Sequence, residues 1–165
     1  MRREFAILLA TAVWLQLAGS VVACELPVRD GPPVLSRRPV IGENALITSG
    51  FGMRHHPLLK RLLMHTGVDW AASIGTPVVA AQQGIVASVA VSAELGAIVI
   101  VNHGEGWQTL YGHLSSTQVI EGDCVAPGAI IGKVGTTGQT PGPALHFEVQ
   151  RMGQPLDPLL FVAWR

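Results

Sequence analysis

From Ala45 onward the chain is a series of short apolar runs separated by glycine-rich breaks. Ser49-Gly50-Phe51-Gly52 reads as a tight bend, followed by Met53-Arg54-His55-His56-Pro57 and a mixed apolar and basic loop from Leu58 to Met64. Gly75-Thr76-Pro77 is a turn leading into Val78-Val79-Ala80-Ala81. Gly84 to Val91 alternates β-branched and small residues, and Ala97 to Val101 is an unbroken apolar run, the mark of a buried strand. Asn102-His103-Gly104-Glu105-Gly106 has the composition of a hairpin turn, so His103 is expected in solvent. Trp107 to His113 returns as a strand with Trp107, Thr109, Tyr111 and His113 on one face, the aromatics either lining a groove or packing. Ala129 to Val134 is a further strand, and Gly135 to Pro143 a loop. In Pro143 to Val149, Ala144, His146 and Glu148 share one face while Leu145, Phe147 and Val149 point to a core. No segment has the period of an amphipathic helix, so the expected fold is all-β, an antiparallel sheet or partly closed barrel.

What precedes Ala45 changes the picture of where this domain works. Arg2 and Arg3, an apolar stretch from Phe5 to Gly19 and the small residues Val21-Val22-Ala23 have the layout of a signal peptide, residues 1–23. The expectation is an exported protein of the periplasm or cell envelope, or a secreted one. Residues 24–44, with Pro27, Pro32, Pro33 and Pro39, read as a Pro-rich leader, either a linker or a strap across the domain, which occupies residues 45–165. Two fates are open to Cys24. Val21-Val22-Ala23-Cys24 resembles a lipobox, which would place Cys24 on a membrane and leave Cys124 unpaired. In an oxidising compartment Cys24 and Cys124 can instead pair, contributing about 2–4 kcal/mol. Lys plus Arg and Asp plus Glu number 11 each, and 9 against 10 once residues 1–23 are removed, so nucleic acid is excluded as a partner.

Chemistry concentrates in His65, Asp69, His113 and His146. His65 and Asp69 stand four apart in Met64-His65-Thr66-Gly67-Val68-Asp69, where Gly67 between β-branched neighbours favours a turn entering a strand over a helix. Two histidines and a carboxylate are an ordinary zinc set with one tetrahedral position left for water. Glu148, on the face of His146, could orient a ligand or pair with a neighbouring strand.

The ordered motifs Ser49-Gly50-Phe51-Gly52-Met53-Arg54, Met64 to Asp69, Gly75-Thr76-Pro77-Val78, Leu110-Tyr111-Gly112-His113-Leu114-Ser115, Gly135 to Gly138 and Gly142 to Val149 resemble the lysostaphin-like zinc endopeptidases, the M23 or LytM-type family of peptidoglycan hydrolases. The resemblance runs from about Ile47 to Pro158 and implies a duplicated-hybrid-motif-like β fold. It implies one zinc ion held by His65, Asp69 and His146, with His113 assisting catalysis. The substrates it implies are peptide cross-links or stem peptides of bacterial cell wall. One position departs from the family pattern: Ala144 stands where the family carries the first histidine of His-x-His. Losing one positioned acid–base group typically costs about 10²–10⁴-fold in rate. A second expectation is therefore a catalytically impaired module that binds cell wall or activates a partner hydrolase. A carrier-like hybrid-motif domain is a third, weakened by the signal peptide. The loops at 53–64 and 135–143 are the expected walls of the groove.

Overall fold

The computed structural model describes residues 24–26, 31–42, 45–56 and 58–163, so the expected signal peptide and part of the leader lie outside it. The first strands are β1 (Leu46–Ser49), β2 (Gly52–His55), β3 (Leu62–His65) and β4 (Val68–Ala71). They are followed by β5 (Pro77–Val79), β6 (Gly84–Ser92), β7 (Gly96–Gly104) and β8 (Trp107–Thr117). The last four are β9 (Cys124–Val125), β10 (Ile130–Val134), β11 (Ala144–Arg151) and β12 (Gln154–Leu156), before a 3-10 turn at Pro158–Leu160. β2 and β3 make a separate hairpin; the other strands form one antiparallel sheet in the order β1-β4-β11-β8-β7-β6-β9. β10 leaves this path by pairing with both β8 and β5, and β12 pairs with β11. The fold is all-β, as the alternation of apolar runs and turns requires, and among the described residues no ladder joins β1 to β9 to close it.

β11 sits between β4 and β8, so it is shielded on both sides as well as on both faces. Leu145, Phe147 and Val149 are fully buried, with Phe147 between the rings of Trp70 and Tyr111 at 5.8 and 5.3 Å. Burying a side chain of this size contributes about 1.5–3 kcal/mol, so this strand anchors the core. The aromatics of β8 pack rather than line a groove: Tyr111 is interior, and Trp107 lies against Phe161 with Arg151 over its ring.

Two local expectations change. Leu58 to Met64 is not all loop, because Leu62–His65 pairs with Gly52–His55. His103 is not in solvent: β7 continues through it to Gly104, and the turn is made by Glu105 and Gly106, both at positive φ. At a bulge between the paired Asn102 and Gly104, His103 is buried, with Nδ1 2.7 Å from the Gln83 carbonyl oxygen and Nε2 2.8 Å from Thr109 Oγ1. Thr109 in turn hydrogen-bonds Tyr111, whose hydroxyl accepts from the Ala81 N–H. Such a chain is tolerated in a core only because each member finds a partner.

The described part of the leader lies on the domain. Leu35 and Val40 are buried in the core, Leu35 exchanges backbone hydrogen bonds with Phe161 and Ala163, and the Val79 N–H donates to the Pro39 carbonyl. Cys24 is disulfide-bonded to Cys124 across a sequence separation of 100.

Candidate metal centre and its cleft

His65 closes β3, Thr66 and Gly67 make the turn, and Asp69 is the second residue of β4. The four-residue spacing thus spans a bend between strands. Asp69 is then the ladder partner of Ser49 on one side and of His146 on the other. Gly67 lets this bend press against β11: a Cβ there would lie 2.3 Å from the Phe147 carbonyl oxygen and 2.9 Å from His146 Cε1. Two strands and a tight turn therefore bring together residues 81 apart in sequence.

Three donor atoms converge. His65 Nε2 lies 3.2 Å from Asp69 Oδ1 and 3.2 Å from His146 Nδ1, and His146 Nδ1 lies 2.8 Å from Asp69 Oδ1. The other nitrogen of each ring is held from behind. His65 Nδ1 donates to the Gly50 carbonyl at 2.7 Å, and His146 Nε2 donates to Glu148 Oε1 at 3.0 Å. These bonds select the tautomers that leave His65 Nε2 and His146 Nδ1 as bare donors toward a common point. Glu148 is itself gripped by Thr66 and Gln150. Among the described residues, His65, Asp69 and His146 form a group of side chains that could hold a metal ion.

The charges match this geometry. Burial by itself would raise the Asp69 pKa, but the imidazoles of His146 and His65 outweigh it and hold the carboxyl well below its usual range. Burial pulls His146 down, yet its bonds to Asp69 and Glu148 win and carry it up to about 9.

His113 reaches the site by an irregularity. On β8, Tyr111 faces Val99 and Leu114 faces Ala97, so three residues on β8 span two on β7. This is a bulge, and His113 sits in it at φ 61, a left-handed conformation unusual for a residue with a side chain. Strand alternation alone would put His113 on the core face with Tyr111. The bulge instead turns it into the cleft wall, its ring 6.0 Å from that of His146. Nδ1 donates to the Thr137 carbonyl at 2.7 Å, leaving Nε2 as the free nitrogen. Burial keeps His113 below its ordinary pKa, so the ring is neutral at neutral pH. Ala144, two residues before His146, offers only a methyl group and a backbone N–H that donates to the Gly135 carbonyl.

A cleft of about 680 Å³ lies over these groups. One wall is the β2–β3 hairpin, through Arg54, His55, His56, Leu63 and Met64; the 135–143 loop contributes Gln139, Thr140 and Pro141. His56 is committed locally, its Nδ1 accepting from the Leu58 and Leu59 N–H groups. The residues that sequence reasoning passed over are Glu94 and Leu95, from the β6–β7 turn, and Arg54, whose Nη2 lies 3.4 Å from Asp69 Oδ2. Arg54 belongs to the glycine-bend motif, and that membership was the available signal. Nothing local marked the β6–β7 turn.

Residues 63–158 match the model of peptidase family M23. DD-carboxypeptidase/endopeptidase Mpg of Neisseria meningitidis is 43% identical over 113 residues, covering 68% of this chain and 26% of Mpg. A zinc containing peptidase from Vibrio cholerae superposes with a TM-score of 0.70 at 37% identity, over 75% of this chain and 39% of that one. The catalytic domain of the antimicrobial peptidase lysostaphin from Staphylococcus simulans superposes with a TM-score of 0.66 at 32% identity, over 72% and 92% of the two chains. The chain spans about a quarter of the length of the curated relatives it matches. With more than half of its residues matching the family model across the strands that carry the cleft, the chain belongs to peptidase family M23.

Proposed function

We propose that this protein is an exported zinc metalloendopeptidase that hydrolyses peptide bonds in bacterial peptidoglycan, with His65, Asp69 and His146 as metal ligands and His113 as proton acceptor. The observation that carries the reading is the convergence of three donor atoms, 2.8–3.2 Å apart, whose rings are fixed from behind by Gly50 and Glu148. The donor set fits zinc. Ligand bonds of about 2.0–2.1 Å in a tetrahedron place neighbouring donors about 3.3 Å apart, close to the triangle seen here. Bound there, zinc would lower the pKa of a water to about 7 and polarise the scissile carbonyl.

The chain's own residues supply the rest. Glu148 positions the His146 ring, and Asp69 brings the negative charge that a dication needs. His113, neutral and with Nε2 free, can take a proton from the attacking water; with its N–H committed to Thr137 it is better suited to accept than to donate. The hairpin and the 135–143 loop wall off bulk water and hold the peptide. Export agrees with the N-terminal segment and with the Cys24–Cys124 bridge, which persists in oxidising compartments.

Ala144 favours one second reading, a wall-binding or partner-activating module with weak or no turnover. Zinc-loaded protein incubated with cell-wall sacculi separates the two. Release of muropeptides by the native protein, abolished in His113→Ala, supports the peptidase. No release by the native protein but release by Ala144→His refutes it in favour of the module.

A further inference from the structure

The β2–β3 hairpin carries exposed side chains that the cleft does not use. Its ladder pairs Arg54 with Leu63, both in the cleft wall, and sets the exposed Met53 and Leu62 opposite Met64 and His55 at the cleft rim. Met53, Leu58, Leu59 and Leu62 take no part in the cleft, and they are 62, 50, 48 and 55% exposed. Lys60 and Arg61 stand exposed among them. Single exposed apolar residues are ordinary, but four around one cationic tip form a patch of the kind that marks an interaction site.

The tip is pinned in place. The Lys60 N–H donates to the His56 carbonyl, the His56 N–H donates to the Arg61 carbonyl, and the His56 ring accepts from Leu58 and Leu59. The patch is therefore presented by backbone bonds and not by a loose loop.

Charge selects the partner. From Met53 to Met64 the chain carries Arg54, Lys60 and Arg61 and no acidic residue, while the rest of residues 24–165 holds 6 basic against 10 acidic. A second copy meeting it through the same face would bring the same cations and be repelled. A soluble polyanion would satisfy the charges but leave the four apolar side chains in water. An anionic bilayer meets both needs, with headgroups for Lys60 and Arg61 and an acyl boundary for the apolar residues. We propose that the exposed apolar side chains of this hairpin, with Lys60 and Arg61, dock the protein on an anionic lipid surface. The same hairpin walls the cleft, so docking would hold it beside the membrane. No helix among the described residues is long and apolar enough to cross a membrane.

Co-sedimentation of the exported protein with vesicles tests this independently of turnover. The expected result is binding to mixed phosphatidylglycerol–phosphatidylcholine vesicles, weakened by salt, and none to phosphatidylcholine alone. K60S/R61S should lower partitioning by about 25-fold, about fivefold for each cation. L58S/L59S should lower it by at least about tenfold, since two apolar side chains leave the interface, with circular dichroism and zinc content unchanged. An L59W variant should shift its emission to the blue on anionic vesicles only. The proposal is overturned if native protein ignores anionic vesicles, if L58S/L59S binds them as native protein does, or if L59W shows no shift. It is equally overturned if soluble polyphosphate binds the native chain as well as the vesicles do, since charge alone would then explain the patch.

Discussion

Glu148→Gln isolates the outer support of the metal centre without changing its shape. The carboxylate accepts from His146 Nε2 at 3.0 Å and from the side chains of Thr66 and Gln150. A glutamine has one acceptor oxygen where the carboxylate has two, so its amide must turn a donor toward one of those donors. If it keeps His146, the bond is no longer charge-assisted. If it does not, His146 can move its proton to Nδ1, the atom that faces Asp69 and His65. Loss of such an outer partner typically weakens metal binding by about 10–100-fold, or about 1.4–2.7 kcal/mol. The assay is competitive zinc titration against a chelating dye at pH 7.5, with circular dichroism to show that the β fold is retained. A dissociation constant within about threefold of native would refute the reasoning, because His146 would then keep its donor atom without help from Glu148.

Gly67→Ala should lower the melting temperature and weaken zinc binding together, since the new Cβ meets the Phe147 carbonyl 2.3 Å away and overpacking of this kind costs about 1–3 kcal/mol. Native melting and affinity would show that the Thr66–Gly67 bend does not press on β11. Cys124→Ser opens a bridge spanning 100 residues, and the chain-entropy model puts the loss at about 4–5 kcal/mol; the unfolding free energy from urea titration should fall by that amount, and an unchanged value would contradict it. In zinc-free protein, His146 is raised from 6.5 to about 9, so its contribution to stability is complete below pH 6.5 and is lost as pH rises through 9. Asp69, depressed from 3.8, works in the opposite sense, contributing above that value and losing it on acidification. Denaturant unfolding in EDTA should therefore show greater stability at pH 6 than at pH 9, and the reverse order would overturn the assignment of the His146 partners.

Much of the fold was legible because a strand buried on one face must alternate, as Leu145–Val149 does, and because an unbroken apolar run such as Ala97–Val101 marks a buried strand. The motif around His65 and Asp69 was legible for a related reason. Gly67 between β-branched residues could hardly belong to a helix, and the structure makes it the bend into β4. His103 was misplaced because strand ends are set by pairing, and the Asn-His-Gly stretch that resembles a turn stays in β7, with Asn102 and Gly104 paired to β8 on either side of a bulge at His103. The hairpin strand Leu62–His65 was missed because its exposed residues are apolar, which conceals the alternation.

The amino-acid sequence by itself determined which chemistry was available: imidazoles and a carboxylate at His65, Asp69, His113 and His146, and only a methyl group at Ala144. Only the tertiary structure decided which nitrogens face one another. Strand pairing set His146 opposite Asp69, Gly50 and Glu148 chose the tautomers, and one extra residue in β8 turned His113 out of the core. The physical reason is that side-chain identity is local, whereas register, bulges and hydrogen bonds from behind a ring depend on strands far apart in the chain.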